Sequence, residues 1–129
     1  KIASKQENIH YLGYLPPEQT IPMIRGSDIL IQPSLIEGIS TSILEAMACK
    51  TAIIATNVGH THLLVNCKNG ILVDNNPKKI ARLINQSIED GRYKNMMKLS
   101  RVKIIESGWV KDKYIDRILD IYLNKLKKI

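Results

Sequence analysis

The spacing of apolar residues changes several times along the chain, and each change marks an element. "NIHYLGYLPP" (residues 8–17) predicts a short strand leaving through a Gly-x-x-Pro-Pro exit. "PEQTIPMIRGS" predicts a helix that starts at Pro17, carries Glu18 in its first turn and is made irregular by Pro22. "DILIQPS" predicts a strand of nearly continuous apolar residues, ended by Pro33. "TSILEAMACK" predicts a helix, "TAIIAT" a second apolar strand rich in β-branched residues, and "KNGILVD" a turn at Asn69-Gly70 followed by a short strand. "NNPKKIARLINQSIEDG" predicts a helix with Asn76 as cap, Pro77 at its first position and Gly91 beyond its end.

After Gly91 the pattern is helical to the end. Met96, Leu99, Val102 and Ile105 recur at intervals of three. Further on, Tyr114, Ile118, Ile121 and Tyr122, with Ile115, Leu119 and Leu126 near them, form a wide apolar stripe that must dock on something. Short strands thus alternate with helices, and the strands are apolar on both faces. That predicts a parallel sheet covered by helices on both sides, the doubly wound, Rossmann-like α/β class. Such sheets bind ligands beyond the carboxyl ends of their strands, in the loops that enter helices.

"SLIEGISTSILEAMACK" (residues 34–50) spans one such loop. A helix N-terminus presents unpaired N–H groups and a partial positive charge, and phosphates bind there readily. Gly38 lets the backbone approach a ligand closely, and Ile39, Ser40 and Thr41 can aim their N–H groups at a diphosphate. Glu37 precedes this turn and Glu45 follows it, sharing a helix face with Thr41. Acid, anion-binding turn and acid match the hydroxyl, diphosphate and hydroxyl of a sugar nucleotide. The residues admit a plainer reading as well. Ser42-x-x-Glu45 has the form of a capping box, Gly38 of a turn residue and Glu37 of a solvated acid.

Composition narrows the class. With 129 residues, of which 44% are apolar, the chain suits one globular domain. No apolar run approaches the roughly 18–20 residues of a membrane span. "KIASKQENIH" has no apolar core of a secretory signal and no initiator methionine, so the chain reads as a processed product or a fragment. Cys49 and Cys67 have neither C-x-x-C spacing nor a nearby histidine cluster. They are expected to be reduced, cytosolic thiols, and no metal site is expected.

The net charge of +7 is unevenly spread. Residues 1–76 carry five basic and six acidic side chains, residues 77–129 fourteen and six. A basic end can attract nucleic acid or an anionic membrane, although a solvated helical face is the plainer source of such asymmetry. The five tyrosines and one tryptophan sit mostly at apolar helical or strand positions. Nucleic-acid readers interleave aromatics with basic residues, so nucleic acid is not expected as a partner.

"YLGYL", "DILIQPSLIEGISTSILEAMACKTAIIATNVG" and "KNGILVD", in this order and spacing, resemble the C-terminal domain of retaining glycosyltransferases of the GT-B fold, closest to the GT4 type. The specific string is Pro-Ser-x-x-Glu-Gly followed by Glu45-Ala-Met-Ala, which contains the family's Glu-x7-Glu. The resemblance runs from about Asn8 to Asp90 and weakens after it, though Trp109 and Tyr122 sit where the family often has Trp and Tyr. It implies that Glu37 contacts the donor sugar at the reacting end and that Glu45 holds the ribose hydroxyls. It implies that the backbone of Gly38, Ile39, Ser40 and Thr41 binds the diphosphate. It further implies that Gly13, Tyr14 and Leu15 lie against the base. Apart from the resemblance, Tyr14 reads as a stacking platform or, more plainly, as a surface aromatic on a loop. The implied reaction is sugar transfer from a nucleoside-diphosphate donor to an acceptor hydroxyl, with retention and without a bound metal or other cofactor. Surface polysaccharide or glycolipid synthesis on the cytoplasmic side, with attachment to an anionic membrane surface through the basic end, is the implied setting.

Several positions depart from the family. Lys50 stands where Gly is usual, Ala52 where Pro is usual, Gly59-His60 where Gly-Gly is usual, and Leu63 where an acid is common. No role is therefore carried over to the second loop, and His60 and His62 are expected to be ordinary loop histidines. The family's N-terminal domain, and the opening strand and helix with an Arg and a Lys on the diphosphate, have no counterpart in the sequence. The chain is thus expected to be a single, N-terminally incomplete nucleotide-sugar-binding domain over residues 1–129, with basic C-terminal helices over 92–129. Alone it is expected to be inactive, its partner being the missing N-terminal domain. The alternatives are an epimerase-like domain of the same fold and a non-catalytic membrane- or nucleic-acid-binding module.

Overall fold

In the computed structural model, the structure describes residues 8–110. The expected stripe from Tyr114 to Leu126 lies outside the described residues. The elements run α1 (Pro17–Arg25), β1 (Ile29–Gln32), α2 (Thr41–Ala48), β2 (Ala52–Thr56), α3 (Thr61–Leu64), β3 (Gly70–Val73), α4 (Pro77–Glu89) and α5 (Arg92–Glu106). The three strands form a parallel sheet in the order β1-β2-β3, with Gln32 opposite Ala55 and Thr56 opposite Val73.

Helices cover both faces, as parallel strands require. On one side Ile53 and Ala55 of β2 join Ile24, Ile43, Ala46, Met47, Leu64, Val65 and Ile104, with Trp109 packed against them. On the other side Ile54 and Val73 meet Ile80 of α4, with Leu83 and Ile84 beside it. Every residue of β2 is buried, which accounts for the unbroken apolar run "AIIAT".

Three expectations need correction. Residues 9–16 form no strand, since none of the described strands pairs with them and a lone strand has no ladder to satisfy its backbone. Tyr11 and Tyr14 in this segment are 87% and 90% exposed. The inward row of α5 is Met96, Ser100 and Ile104, whereas Val102 and Ile105 are exposed. With 3.6 residues per turn, a row of threes winds off the contact face faster than a row of fours. Small Ser100, fully buried, lets α5 approach closely and donates to the Asn69 carbonyl (3.0 Å). The capping-box reading also fails. The N-cap of α2 is Ser40, whose hydroxyl accepts from the Ile43 N–H, so Glu45 lies too far into the helix to complete a box.

Other expectations hold. Helix α1 begins at Pro17 and runs through Pro22 to Arg25. Asn76 caps α4 by accepting from the Lys79 N–H (3.2 Å). The turn after α2 keeps the left-handed residue for which Gly is usual, with Lys50 at φ 63°. Lys50 N–H donates to Met47 O and Thr51 N–H to Ala46 O, the paired bonds of a Schellman ending. Ala52 donates its N–H to Asp28 O (3.0 Å), a bond that proline at this position would forgo.

Candidate active site

The end of β1, the Ser34–Ser40 loop and the start of α2 come together at the carboxyl edge of the sheet. The loop is fastened from two sides. Thr56, at the end of β2, donates its hydroxyl to Ser34 O (2.6 Å), and His60 donates its N–H to Gly38 O (3.1 Å). The second loop thus braces the first through backbone atoms. His60 and His62 flank each other at the start of α3 with ring centroids 6.4 Å apart.

Glu37 is half-buried and its Oε1 accepts two hydrogen bonds, one from Gln32 Nε2 and one from Ser34 Oγ, both 2.6 Å. No described donor reaches Oε2, which leaves that oxygen for an outside hydroxyl. Gln32 Oε1 in turn accepts from Ser40 Oγ (2.8 Å). Beyond Glu37, no acceptor among the described residues engages the N–H groups of Gly38, Ile39, Ser40, Thr41 or Ser42. A side-chain carbon added to Gly38 would meet nothing within 4 Å. Nothing in the described fold therefore fills the space in front of Gly38.

Glu45 lies half-buried on α2, one turn beyond Thr41 on the same face, and its carboxylate forms no hydrogen bond or ion pair among the described residues. The structure thus places Glu37, Gly38, Ile39, Ser40, Thr41 and Glu45 on one continuous loop–helix segment. Gly13, Tyr14 and Leu15 lie elsewhere. They line a cavity of about 380 Å³ with Met23, Ile24 and Leu30, and none of the Ser34–Glu45 residues takes part in it.

Gln32 and Ser34 escaped the sequence reading as site residues. The signal for Gln32 was present: it is the one polar residue of an apolar strand, at the carboxyl end where ligands bind. Gly59 was set aside with its loop, yet it is what allows that loop to touch Glu37. Among the described residues no three His, Cys, Asp or Glu side chains come together in a way that could hold a metal ion. Nor is any described helix long and apolar enough to cross a membrane. Cys49 and Cys67 are free thiols.

A family model described as "Glycosyl transferases group 1" matches residues 2–103, and the chain belongs to this family. It is 35% identical over 91 residues to an uncharacterized glycosyltransferase of Methanocaldococcus jannaschii, covering 68% of this chain and 23% of that protein. It is 30% identical over 105 residues to the Escherichia coli UDP-Gal:alpha-D-GlcNAc-diphosphoundecaprenol alpha-1,3-galactosyltransferase, covering 79% and 27%. The chain thus spans less than a third of the length of these relatives. Among solved structures, the C-terminal domain of a group 1 family glycosyl transferase from Francisella tularensis matches with TM-score 0.64 at 28% identity, over 74% of this chain and 51% of that one. Sucrose-phosphate synthase from Thermosynechococcus elongatus matches with TM-score 0.85 at 19% identity, over 98% and 32%, a likeness of fold. Anabaena HepE, solved in complex with UDP-glucose, matches with TM-score 0.70 at 23% identity, over 95% and 33%. The fold is that of the C-terminal-type domain of GT-B glycosyltransferases, as the sequence led us to expect.

Proposed function

We propose that this domain holds the nucleoside-diphosphate sugar of a retaining glycosyltransferase that transfers the sugar to an acceptor hydroxyl. One observation carries the reading. Among the described residues, five successive unengaged N–H groups, Gly38 to Ser42, open the N-terminus of α2 between a carboxylate with a free oxygen, Glu37, and a second unpaired carboxylate, Glu45. The UDP-glucose bound to the structurally similar HepE supports a donor of this class.

In this reading Glu37 Oε2 accepts a hydroxyl of the donor sugar at the reacting end. The amides of Gly38, Ile39, Ser40 and Thr41 bind the diphosphate, and Glu45 accepts the ribose hydroxyls. As the glycosidic bond breaks, negative charge collects on the departing diphosphate. Fixed amides and the positive end of α2 stabilise that charge without reorganising, which is where preorganised dipoles act most strongly. The positive potential comes from the backbone, and no metal or other cofactor is assigned a step. The contact of Gly13, Tyr14 and Leu15 with the base rests on the family resemblance alone.

The acceptor site belongs, in this proposal, to a further domain of the complete protein, so residues 1–129 alone are inactive. We assign the protein to surface polysaccharide or glycolipid synthesis at the cytoplasmic face of the membrane. Arg25, Lys50 and Arg101 line one surface pocket of about 510 Å³ that has no acidic lining residue, and this supports contact with anionic lipid. Vesicle binding that is indifferent to anionic lipid content would remove the membrane part of the proposal.

The transfer itself is tested with the complete protein and UDP-glucose or GDP-mannose, following release of the nucleoside diphosphate and the anomeric configuration of the product. Glu37→Gln should lower turnover by about a hundredfold or more. Undiminished turnover in that variant, or an inverted product, would overturn the assignment.

A further inference from the structure

We infer that Gln32 is a positioning residue that ties the Glu37 carboxylate to the N-cap of α2, so that both ends of the donor site are held as one unit. The inference rests on the donor-site reading above. Its geometry is a directed chain of hydrogen bonds. The Ile43 N–H donates to Ser40 Oγ (3.4 Å), the Ser40 hydroxyl donates to Gln32 Oε1 (2.8 Å), and Gln32 Nε2 donates to Glu37 Oε1 (2.6 Å). Ser34 Oγ donates to the same Glu37 oxygen (2.6 Å) and lies 3.4 Å from Gln32 Nε2.

Only one orientation of the Gln32 amide fits this chain. Turned over, it would set its carbonyl oxygen against a carboxylate oxygen, two acceptors at hydrogen-bond distance with no proton between them. A primary amide is the group that the place demands. It must accept from Ser40 on one side and donate to Glu37 on the other. Leucine keeps the strand apolar but does neither. Glutamate keeps the shape but sets a second carboxylate against the first. The amide is also mounted well. Gln32 ends β1 in register with fully paired β2, and a strand positions a side chain more firmly than a loop does.

Two neighbouring parts of the site follow from this. Ser40 caps the helix whose amides would bind the diphosphate, and Glu37 would meet the sugar. Gln32 fixes the one relative to the other. It directs the bonded Oε1 inward and leaves Oε2 for the ligand.

The test uses the complete protein and has two readouts. In NMR spectra without ligand, one Gln32 side-chain N–H should be shifted downfield and slow to exchange. Glu37→Ala should abolish this and Glu45→Ala should leave it. In kinetics, Gln32→Leu should lower kcat for UDP-glucose or GDP-mannose turnover at least about tenfold. It should change the affinity for UDP or GDP by less than about threefold, because the amides still bind the diphosphate. In a Glu37→Ala background Gln32→Leu should have no further effect, whereas a merely structural loss would multiply. The inference falls if the Gln32 amide ignores Glu37→Ala, or if the two losses multiply. Should the wild-type protein turn over neither donor, the transferase assignment would be in question while the amide signal still decides whether Gln32 holds Glu37.

Discussion

Gly59 rests against the carbonyl of Glu37 so closely that a side-chain carbon on Gly59 would fall 1.8 Å from that oxygen and 3.2 Å from the Gly38 carbonyl oxygen. Gly59 also adopts φ +54°, in the left-handed region. Two separate demands for glycine coincide at one residue of the bracing loop. Gly59→Ala should therefore cost about 2–4 kcal/mol of stability. It should also displace the loop that carries Glu37, measured as a lower denaturation midpoint together with shifted Gly38 and Ile39 amide resonances. Wild-type stability in this variant would mean that the two loops are not in contact.

Lys50 takes the left-handed position at the end of α2, with φ 63°. Lys50→Gly should raise stability by about 0.5–1 kcal/mol in thermal or chemical denaturation, because glycine reaches positive φ without steric cost. A decrease would show that the Lys50 side chain contributes more than its backbone strain removes.

Asn69 is 1% exposed and hydrogen-bonded through both of its side-chain polar atoms. Its Nδ2 donates to Leu64 O (2.9 Å), its Oδ1 accepts from the Asn66 N–H (2.8 Å), and its own carbonyl accepts from Ser100 Oγ. Asn69→Ala leaves a buried carbonyl and a partly buried N–H short of partners, and should cost about 2–4 kcal/mol. The matching unfolding measurement on Ser100→Ala should show a smaller loss, because it removes one bond only.

The sequence disclosed the order of the elements because local chemistry marks it. Prolines at the starts of α1 and α4, Asn76 as a cap and the unbroken apolar run of β2 are signals that no tertiary contact overrides. It misjudged residues 8–17, where an apolar run leads into a Gly-x-x-Pro-Pro exit but none of the described strands lies alongside to pair with it. It also set α5 one row off, since a run of threes and a run of fours share Met96 and only packing against Asn69 selects Ser100 and Ile104. In the site, the glutamates and the glycine were visible as residue types at a spacing. The brace from Gly59 was not visible, because it depends on which backbone atoms the two loops bring within reach, and Gln32 was visible only as a polar residue in an apolar strand, not by the side chains it bonds. A capping box was equally legible and was ruled out only by the position of the Ser40 cap.

Acid should weaken the protein through two exposed ion pairs. Asp74 is held below the ordinary aspartate range by its hydrogen bond to Lys79 (2.7 Å) and then by that charge. Asp90 is held low by its hydrogen bond to Arg92. Each carboxyl is more acidic folded than unfolded. Its contribution is therefore complete above the ordinary aspartate value and is lost as pH falls through the lower folded value. Denaturation followed from neutral pH into the acid range should show this decline shrink in Asp74→Asn. The effect should also shrink with added salt, since both pairs face solvent.

The most direct test of the account is a titration of the protein with UDP, GDP and ADP, read at the backbone amides, beside a Glu45→Ala variant. Saturable shifts at Gly38, Ile39, Ser40 and Thr41 with one of the three, weakened by Glu45→Ala, are the predicted result. Shifts at these amides that are unchanged by Glu45→Ala would take the ribose from Glu45. No shift at these amides with any of the three would contradict the donor site itself.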